Sequence, residues 1–196
     1  METLVSCALK RWSPGIGDPT VTGWMTVVVH ALTACLAVAV VMRAPFPLVS
    51  GRRERRFWAM IAVTLAFLAV NKQLDLQSFC TAVGRCLAKA QGWYEERRSF
   101  QRDVFLMLLA CGLVGLAALS VLMRGTLARN GLAVLGLCVL TGFVVVRAVG
   151  FHHMDGLIRQ TVLSVRVNAV FEIGGALLVA VAALLLLLLR AGRAAR

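Results

Sequence analysis

Five apolar runs, separated by polar segments, dominate the chain. A helix needs about 20 residues to cross the hydrocarbon core of a bilayer, because each residue adds about 1.5 Å along the helix axis. Four of the runs reach that length directly. The second, residues 57–70, reaches it only if its helix continues through Asn71 and Gln73 to Leu74; the alternative is a re-entrant or buried helix. We favour a true span and predict spans at residues 22–42, 57–74, 104–123, 132–151 and 167–189.

The composition of the chain is that of a membrane protein. Hydrophobic residues make up 60% of its 196 residues and charged residues 15%, whereas a globular domain typically has about 45–50% apolar and about 25% charged residues. A chain of this length cannot hide so much apolar surface in its interior, so most of it must face lipid. This excludes a water-soluble enzyme, a disordered tail and a free nucleic-acid-binding domain. We predict an all-α, polytopic membrane bundle formed by residues 1–196 as one domain.

The distribution of arginine predicts the orientation of the bundle. The formal net charge is +12, and the densest basic cluster is four arginines within residues 52–56, just after Arg43. Short loops rich in Lys and Arg stay in the cytoplasm, so counting spans places the N-terminus outside and the C-terminus inside. An Arg-, Ala- and Leu-rich chain is typical of a bacterium with a GC-rich genome. We therefore expect the inner (plasma) membrane, with the lipid bilayer and not nucleic acid as the partner.

The extracytoplasmic-facing loop, residues 75–103, is predicted to contain an interfacial amphipathic helix. If the second helix continues into this loop, polar and apolar side chains separate onto opposite faces. The polar face would hold Asn71, Asp75, Ser78, Ala82, Arg85 and Lys89, and the apolar face Leu76, Phe79, Cys80, Val83, Leu87 and Ala90. Cys80 and Cys86 would then lie about 120° apart around the helix. A disulfide between them is therefore not expected unless Gly84 breaks the helix.

Several ionisable residues fall at membrane depth in the predicted outer half of the bundle. A charged side chain there costs about 2.5–3.5 kcal/mol or more, so it usually faces the bundle interior with a partner. The loop 152–166 emerges on the same face as the loop 71–103, because two spans separate them. We predict that three residues of the spans line a buried polar pocket and that four loop residues lie at its mouth. The first set is His30, Arg147 and Glu172, and the second is Asp75, His152, His153 and Asp155.

The first interpretation of this pocket is a metal site. Imidazole nitrogens and carboxylate oxygens are ligands that a transition metal such as zinc accepts. Adjacent histidines can bind one ion only if the backbone turns there, which Gly150 and Gly156 would allow. The metal would activate water for hydrolysis or transfer on a lipid-borne substrate, while a spare carboxylate serves as base. The metal ligands would be His152, His153 and Asp155, and the catalytic groups Asp75, Glu172 and Arg147.

Two other interpretations remain open, so whether the protein is an enzyme is undecided at this point. In the first, Arg147 and Glu172 form a structural ion pair. The protein is then a non-catalytic scaffold or accessory subunit that binds a protein partner or a second copy of itself. In the second, His30 pairs with His152 or His153 as an axial ligand of haem, although the predicted depths match poorly. Transport is disfavoured because no inverted repeat is visible.

Overall fold

The computed structural model describes residues 3–149, 161–162 and 165–194. Helices account for nearly all of this part of the chain, and a 3-10 turn at Tyr94–Glu96 precedes the fifth of them. The helices are α1 (Leu4–Leu9), α2 (Val21–Arg43), α3 (Gly51–Leu74), α4 (Leu76–Ala90), α5 (Arg97–Leu122), α6 (Leu127–Val149) and α7 (Val167–Ala194). Two short strands, β1 (Thr161–Val162) and β2 (Val165–Arg166), pair antiparallel with Thr161 opposite Arg166.

Five of these helices, α2, α3, α5, α6 and α7, are long and apolar enough to cross a membrane. The predicted all-α membrane bundle, with an amphipathic helix after the second span, is therefore confirmed. The second predicted span corresponds to α3. This helix does continue to Leu74, and it begins at Gly51, not at residue 57. The arginine cluster thus forms the first turns of α3, where Glu54 interacts favourably with the positive end of the helix dipole.

Helix α3 ends at Leu74, at the predicted end of the second span, and the chain turns at Asp75 before α4 begins, so the condition of one continuous helix is not met. The backbone of Asp75 is left-handed, with φ 48° and ψ 51°. Aspartate tolerates this conformation better than most residues, since its short polar side chain can bond locally. Here its Oδ2 accepts a 2.6 Å hydrogen bond from the Ser78 hydroxyl, and Asn71 Oδ1 accepts one of 3.2 Å from the Leu76 amide.

The burial of residues along α4 differs from the predicted division into two faces. Ala82, expected on the polar face, is buried together with Cys86 and Ala88. Cys80, expected on the apolar face, is exposed. These positions differ from the prediction because α4 packs against the short N-terminal helix α1, which the periodicity of a single helix cannot reveal.

The core of the bundle lies among α2, α3, α6 and α7. Helix α7 packs against both α2 and α6, and α2 packs along α3. Glycine is required where α6 meets α7, since a Cβ on Gly136 would lie 2.6 Å from the Gly175 carbonyl oxygen. Such close backbone approach is how helices associate without a hydrophobic driving force in lipid. Helix α5 lies at the edge, and none of the described side chains in its apolar window, Arg102–Leu122, is buried.

A buried polar cluster ties α3 to α6 at the arginine-rich end. The side chain of Glu54 is fully buried, and its Oε1 accepts hydrogen bonds from Arg129 Nη2 at 2.6 Å and Ser50 Oγ at 2.7 Å. Its Oε2 accepts one from Asn130 Nδ2 at 2.8 Å, and Trp58 Nε1 donates to Asn130 Oδ1 at 2.9 Å. Because both oxygens of the buried Glu54 carboxylate accept hydrogen bonds from α6, this Glu54 cluster fixes the register of the two helices.

Candidate functional site

A second buried charge cluster lies at the opposite end of the bundle, around Lys72 in the last turn of α3. Its Nζ lies 2.8 Å from Glu172 Oε2 on α7 and 3.3 Å from Asp18 Oδ2. The side chains of Lys72 and Glu172 are only 7% and 11% exposed. We call Asp18, Lys72 and Glu172 the Lys72 cluster. Placing one cation between two carboxylates offsets part of the cost of removing the three charges from water.

Asp18 is held in place by the residues around it. Thr20 Oγ1 donates to Asp18 Oδ1 at 2.6 Å, and the Gln73 side chain bonds both the amide and the carbonyl of Asp18, at 3.3 and 3.2 Å. Burial raises the pKa of Asp18, but the Thr20 hydrogen bond and the Lys72 ammonium together outweigh burial, so this pKa lies below its usual value. Asp18 is therefore ionised at neutral pH.

The segment that carries Asp18 is fastened to the corner between α3 and α4. We call this segment, residues 3–20, the N-terminal arm. A disulfide joins Cys7 to Cys86, with the two Cα atoms 6.1 Å apart. Trp12 Nε1 donates to the Leu74 carbonyl at 3.2 Å, and the Gly17 amide donates to the Gln73 carbonyl at 2.6 Å. These contacts hold the arm across the end of the bundle above Lys72.

A small cavity lies beside the Lys72 cluster. Its volume is about 30 Å³, which admits water but falls far below the about 300–1,000 Å³ of typical ligand pockets. Its walls combine apolar side chains of α3 and α6 with charged and amide groups. The lining residues are His30, Leu68, Asn71, Lys72, Asp75, Leu140, Phe143, Val144 and Glu172.

The structure brings together three of the residues singled out in the sequence. His30, Asp75 and Glu172 all line this cavity, although 142 positions separate the first from the last (172 − 30). Arg147 belongs to α6, but its side chain lies outside the described residues. His152, His153 and Asp155 lie outside them too. The catalytic and metal-binding roles therefore stay predictions.

The described residues give separate evidence on the two predicted cofactors, a metal ion and haem. Within residues 3–149, 161–162 and 165–194, no three His, Cys, Asp or Glu side chains lie close enough to hold a metal ion. Of the predicted carboxylates, Glu172 is engaged by Lys72, which disfavours a second cation on the same oxygen. Haem receives no support from His30, since the cavity that His30 faces is far too small for a porphyrin.

Sequence reasoning missed Lys72, Asp18 and the Cys7–Cys86 disulfide. Lys72 lies in the polar end of the predicted second span, where the cost of a charge at membrane depth applies to it as much as to Glu172. The positions of the two cysteines in the sequence are also compatible with a disulfide. Cys7 precedes the first span and Cys86 follows the second, so an even number of spans places both cysteines on one side of the membrane.

Comparison with protein-family models, with curated proteins and with solved structures finds no match for this chain. A bundle of membrane helices carries no specific activity with it, since one fold hosts many unrelated functions. The function therefore has to follow from the side chains at the Lys72 end of the bundle.

We predict that the Cys7–Cys86 disulfide stabilises the folded protein. The double variant Cys7→Ser, Cys86→Ser should lower the free energy of unfolding by about 2–4 kcal/mol, because the crosslink restricts the unfolded chain across 79 residues. Denaturant unfolding of the purified protein measures the effect, and Cys80→Ser, which alters an exposed thiol on the same helix, is the control. Titration of all six cysteines as free thiols in the unreduced, denatured protein would contradict the disulfide.

Proposed function

We propose that this chain is a multi-pass membrane enzyme, a metal-dependent hydrolase or transferase acting on a lipid-borne substrate. One observation carries the proposal: the helices on both sides of the segment 150–160 line the same cavity as Asp75. Phe143 and Val144 contribute from α6 and Glu172 from α7, and Phe143 stacks on Phe171 of α7 with ring centroids 5.9 Å apart. In the chain, the segment that carries His152, His153 and Asp155 follows α6 and is separated from α7 by β1 and β2, and α6 and α7 both line this cavity.

The chemistry of each proposed residue follows from its type and its surroundings. Two imidazoles and a carboxylate, His152, His153 and Asp155, are a donor set that suits zinc, which when bound lowers the pKa of a coordinated water to about 7. The carboxylate of Asp75 lies at the cavity wall and serves as general base. Glu172, held by Lys72, orients the water. Arg147 supplies positive charge toward an anionic reaction intermediate.

The substrate in this proposal reacts at the mouth of the cavity, not inside it. A volume of about 30 Å³ holds water but not a headgroup, so the interior can supply only water to the reaction. A lipid-borne substrate reaches the mouth from the bilayer while its tails remain in hydrocarbon. This division fits hydrolysis, or transfer to a small acceptor.

The proposed orientation places this mouth on the extracytoplasmic side of a bacterial inner membrane, with the C-terminus in the cytoplasm. Support comes from both ends of the bundle. The Cys7–Cys86 disulfide lies at the Lys72 end, and disulfides persist mainly outside the reducing cytosol. The opposite end carries exposed arginines, among them Arg43, Arg52 and Arg56, as expected of a cytoplasmic face.

A second candidate is a non-catalytic scaffold or accessory subunit that binds a protein partner or a second copy. The observation that favours it is the Lys72 cluster itself, which joins the arm, α3 and α7 through buried ion pairs. In this candidate Arg147 and Glu172 add a structural ion pair, and no metal binds.

Metal content separates the two candidates. The enzyme predicts about one equivalent of a transition metal per chain in protein purified without added metal, lost in the double variant His152→Ala, His153→Ala because each histidine supplies a ligand. Met154→Ala, in the same segment, is the control and should retain the metal. Elemental analysis is the measurement. Less than about a tenth of an equivalent in the unaltered protein would favour the scaffold, since a metal enzyme needs its ligands filled.

Cysteine labelling in intact cells tests the orientation. In a Cys80→Ser background, single variants Gln77→Cys and Met154→Cys should both react with a membrane-impermeant maleimide, because two spans separate the loops that carry them. Arg52→Cys should react only after the membrane is permeabilised. Reaction of only one of the first two variants in intact cells would leave no shared site for Asp75 and His152.

A further inference from the structure

His30 is buried in the middle of the bundle, and no side chain of the described residues hydrogen-bonds to its ring. It lies about 13 Å along α2 from the start of that helix, and only 3% of its surface is exposed. The Thr26 backbone, one turn earlier on α2, is a polar neighbour of the ring, but within the part of the chain that the structure describes neither Nδ1 nor Nε2 has a partner of hydrogen-bonding geometry. Thr26 and Thr33, buried on the same face, do not supply one, since their hydroxyls donate to carbonyls of α2 itself.

An imidazole in this position needs partners for both of its nitrogens. The neutral ring has one donor and one acceptor, and buried polar atoms without a partner are rare in folded proteins. The charged groups that act electrostatically on His30 are Glu172 and Lys72, yet no direct hydrogen bond joins the ring to either of them. A further hydrogen-bonding group is therefore needed between the His30 ring and the side chains of Glu172 and Lys72.

The cavity beside His30 has the size and the lining that a bridge of water requires. A water molecule needs about 10–15 Å³ of accessible space and two to four polar partners. The cavity offers about 30 Å³, enough for one or two water molecules. Its polar wall consists of Asn71, Lys72, Asp75 and Glu172, which together offer donors and acceptors.

We propose that this cavity is a water-binding site in which one or two ordered water molecules connect the His30 imidazole to the Lys72 cluster. His30 acts as a positioning residue that fixes the inner water through its ring nitrogens. The inference rests on the cavity and on the bare imidazole, so it holds whether or not the proposed catalysis is correct.

The water site is a dead end and not part of a channel. Toward the arginine-rich end of the bundle, the buried core beyond His30 is mostly apolar and includes Ala37, Val40, Ile61 and Leu65. Thr33 is the buried polar side chain of the described residues that comes next in this direction, and its hydroxyl already donates to the Val29 carbonyl. The buried polar groups after it are those of the Glu54 cluster. Water therefore reaches His30 from the Lys72 end and stops there.

Solid-state NMR of the protein in lipid tests the site directly. The chain has three histidines, so in the variant His152→Ala, His153→Ala a histidine 15N label reports on His30 alone. Magnetisation transferred from water should reach the ring nitrogens of His30. Val144→Leu, which adds about one methylene to the cavity wall, should abolish the transfer. The control Val63→Leu makes the same change at an exposed position of α3 and should preserve it.

The absence of transfer to His30, or transfer that Val144→Leu leaves unchanged, would overturn the proposal. A second comparison avoids the double histidine background. If water pairs with the ring, His30→Gln keeps a donor and an acceptor, and its Tm should exceed that of His30→Leu by at least about 3 °C. If the cavity is dry, the apolar leucine gives an equal or higher Tm, which would also overturn the proposal.

Discussion

The buried lysine between two carboxylates determines how one end of this bundle is built. A charge at membrane depth costs about 2.5–3.5 kcal/mol or more when it is isolated, so the buried Lys72 and Glu172 stabilise each other, and Asp18 adds a second carboxylate from the arm. Lys72 ends α3 and Glu172 begins α7, while Asp18 comes from the N-terminal arm. Because these three side chains meet at one point, they fix the positions of α3, α7 and the N-terminal arm relative to one another. The left-handed turn at Asp75 takes α4 off the axis of α3 at the same corner where the arm bonds to Gln73 and Leu74.

Buried charges are stabilised differently at the two ends of the bundle. At the arginine-rich end, Glu54 is fully buried and its oxygens accept hydrogen bonds from three side chains. This network links α3 to Arg129 and Asn130 of α6 and is suited to fixing the two helices against each other. At the other end, the Lys72 cluster borders a cavity and an imidazole without a hydrogen-bond partner in the described residues. A site that combines charge, space and an unpaired donor is suited to binding, which is why function is proposed there.

The sequence predicts the helices well and their junctions poorly. Length and apolarity suffice to locate spans, since no other structure satisfies the backbone in lipid, and depth alone singles out His30 and Glu172. The break at Asp75 leaves no trace in the pattern, because aspartate fits a continuing polar face as readily as a left-handed turn. The sequence gives only weak signals for the partners of Glu172 and Cys86: charge at membrane depth marks Lys72, and the count of spans places Cys7 and Cys86 on one side, but neither signal pairs the residues. The identity of the partners depends on how the arm packs, which is a property of the tertiary structure.

A double-mutant cycle on Lys72 and Glu172 tests the central claim most directly. The free energy of unfolding is measured in lipid for Lys72→Met, Glu172→Gln and the pair, and Lys89→Met combined with Glu172→Gln provides the control cycle. If the buried pair holds α3 to α7, each single variant strands a charge. The double variant should then lose less stability than the sum of the single losses, with a coupling of about 1–3 kcal/mol. Additive losses, within about 0.5 kcal/mol in both cycles, would contradict the account.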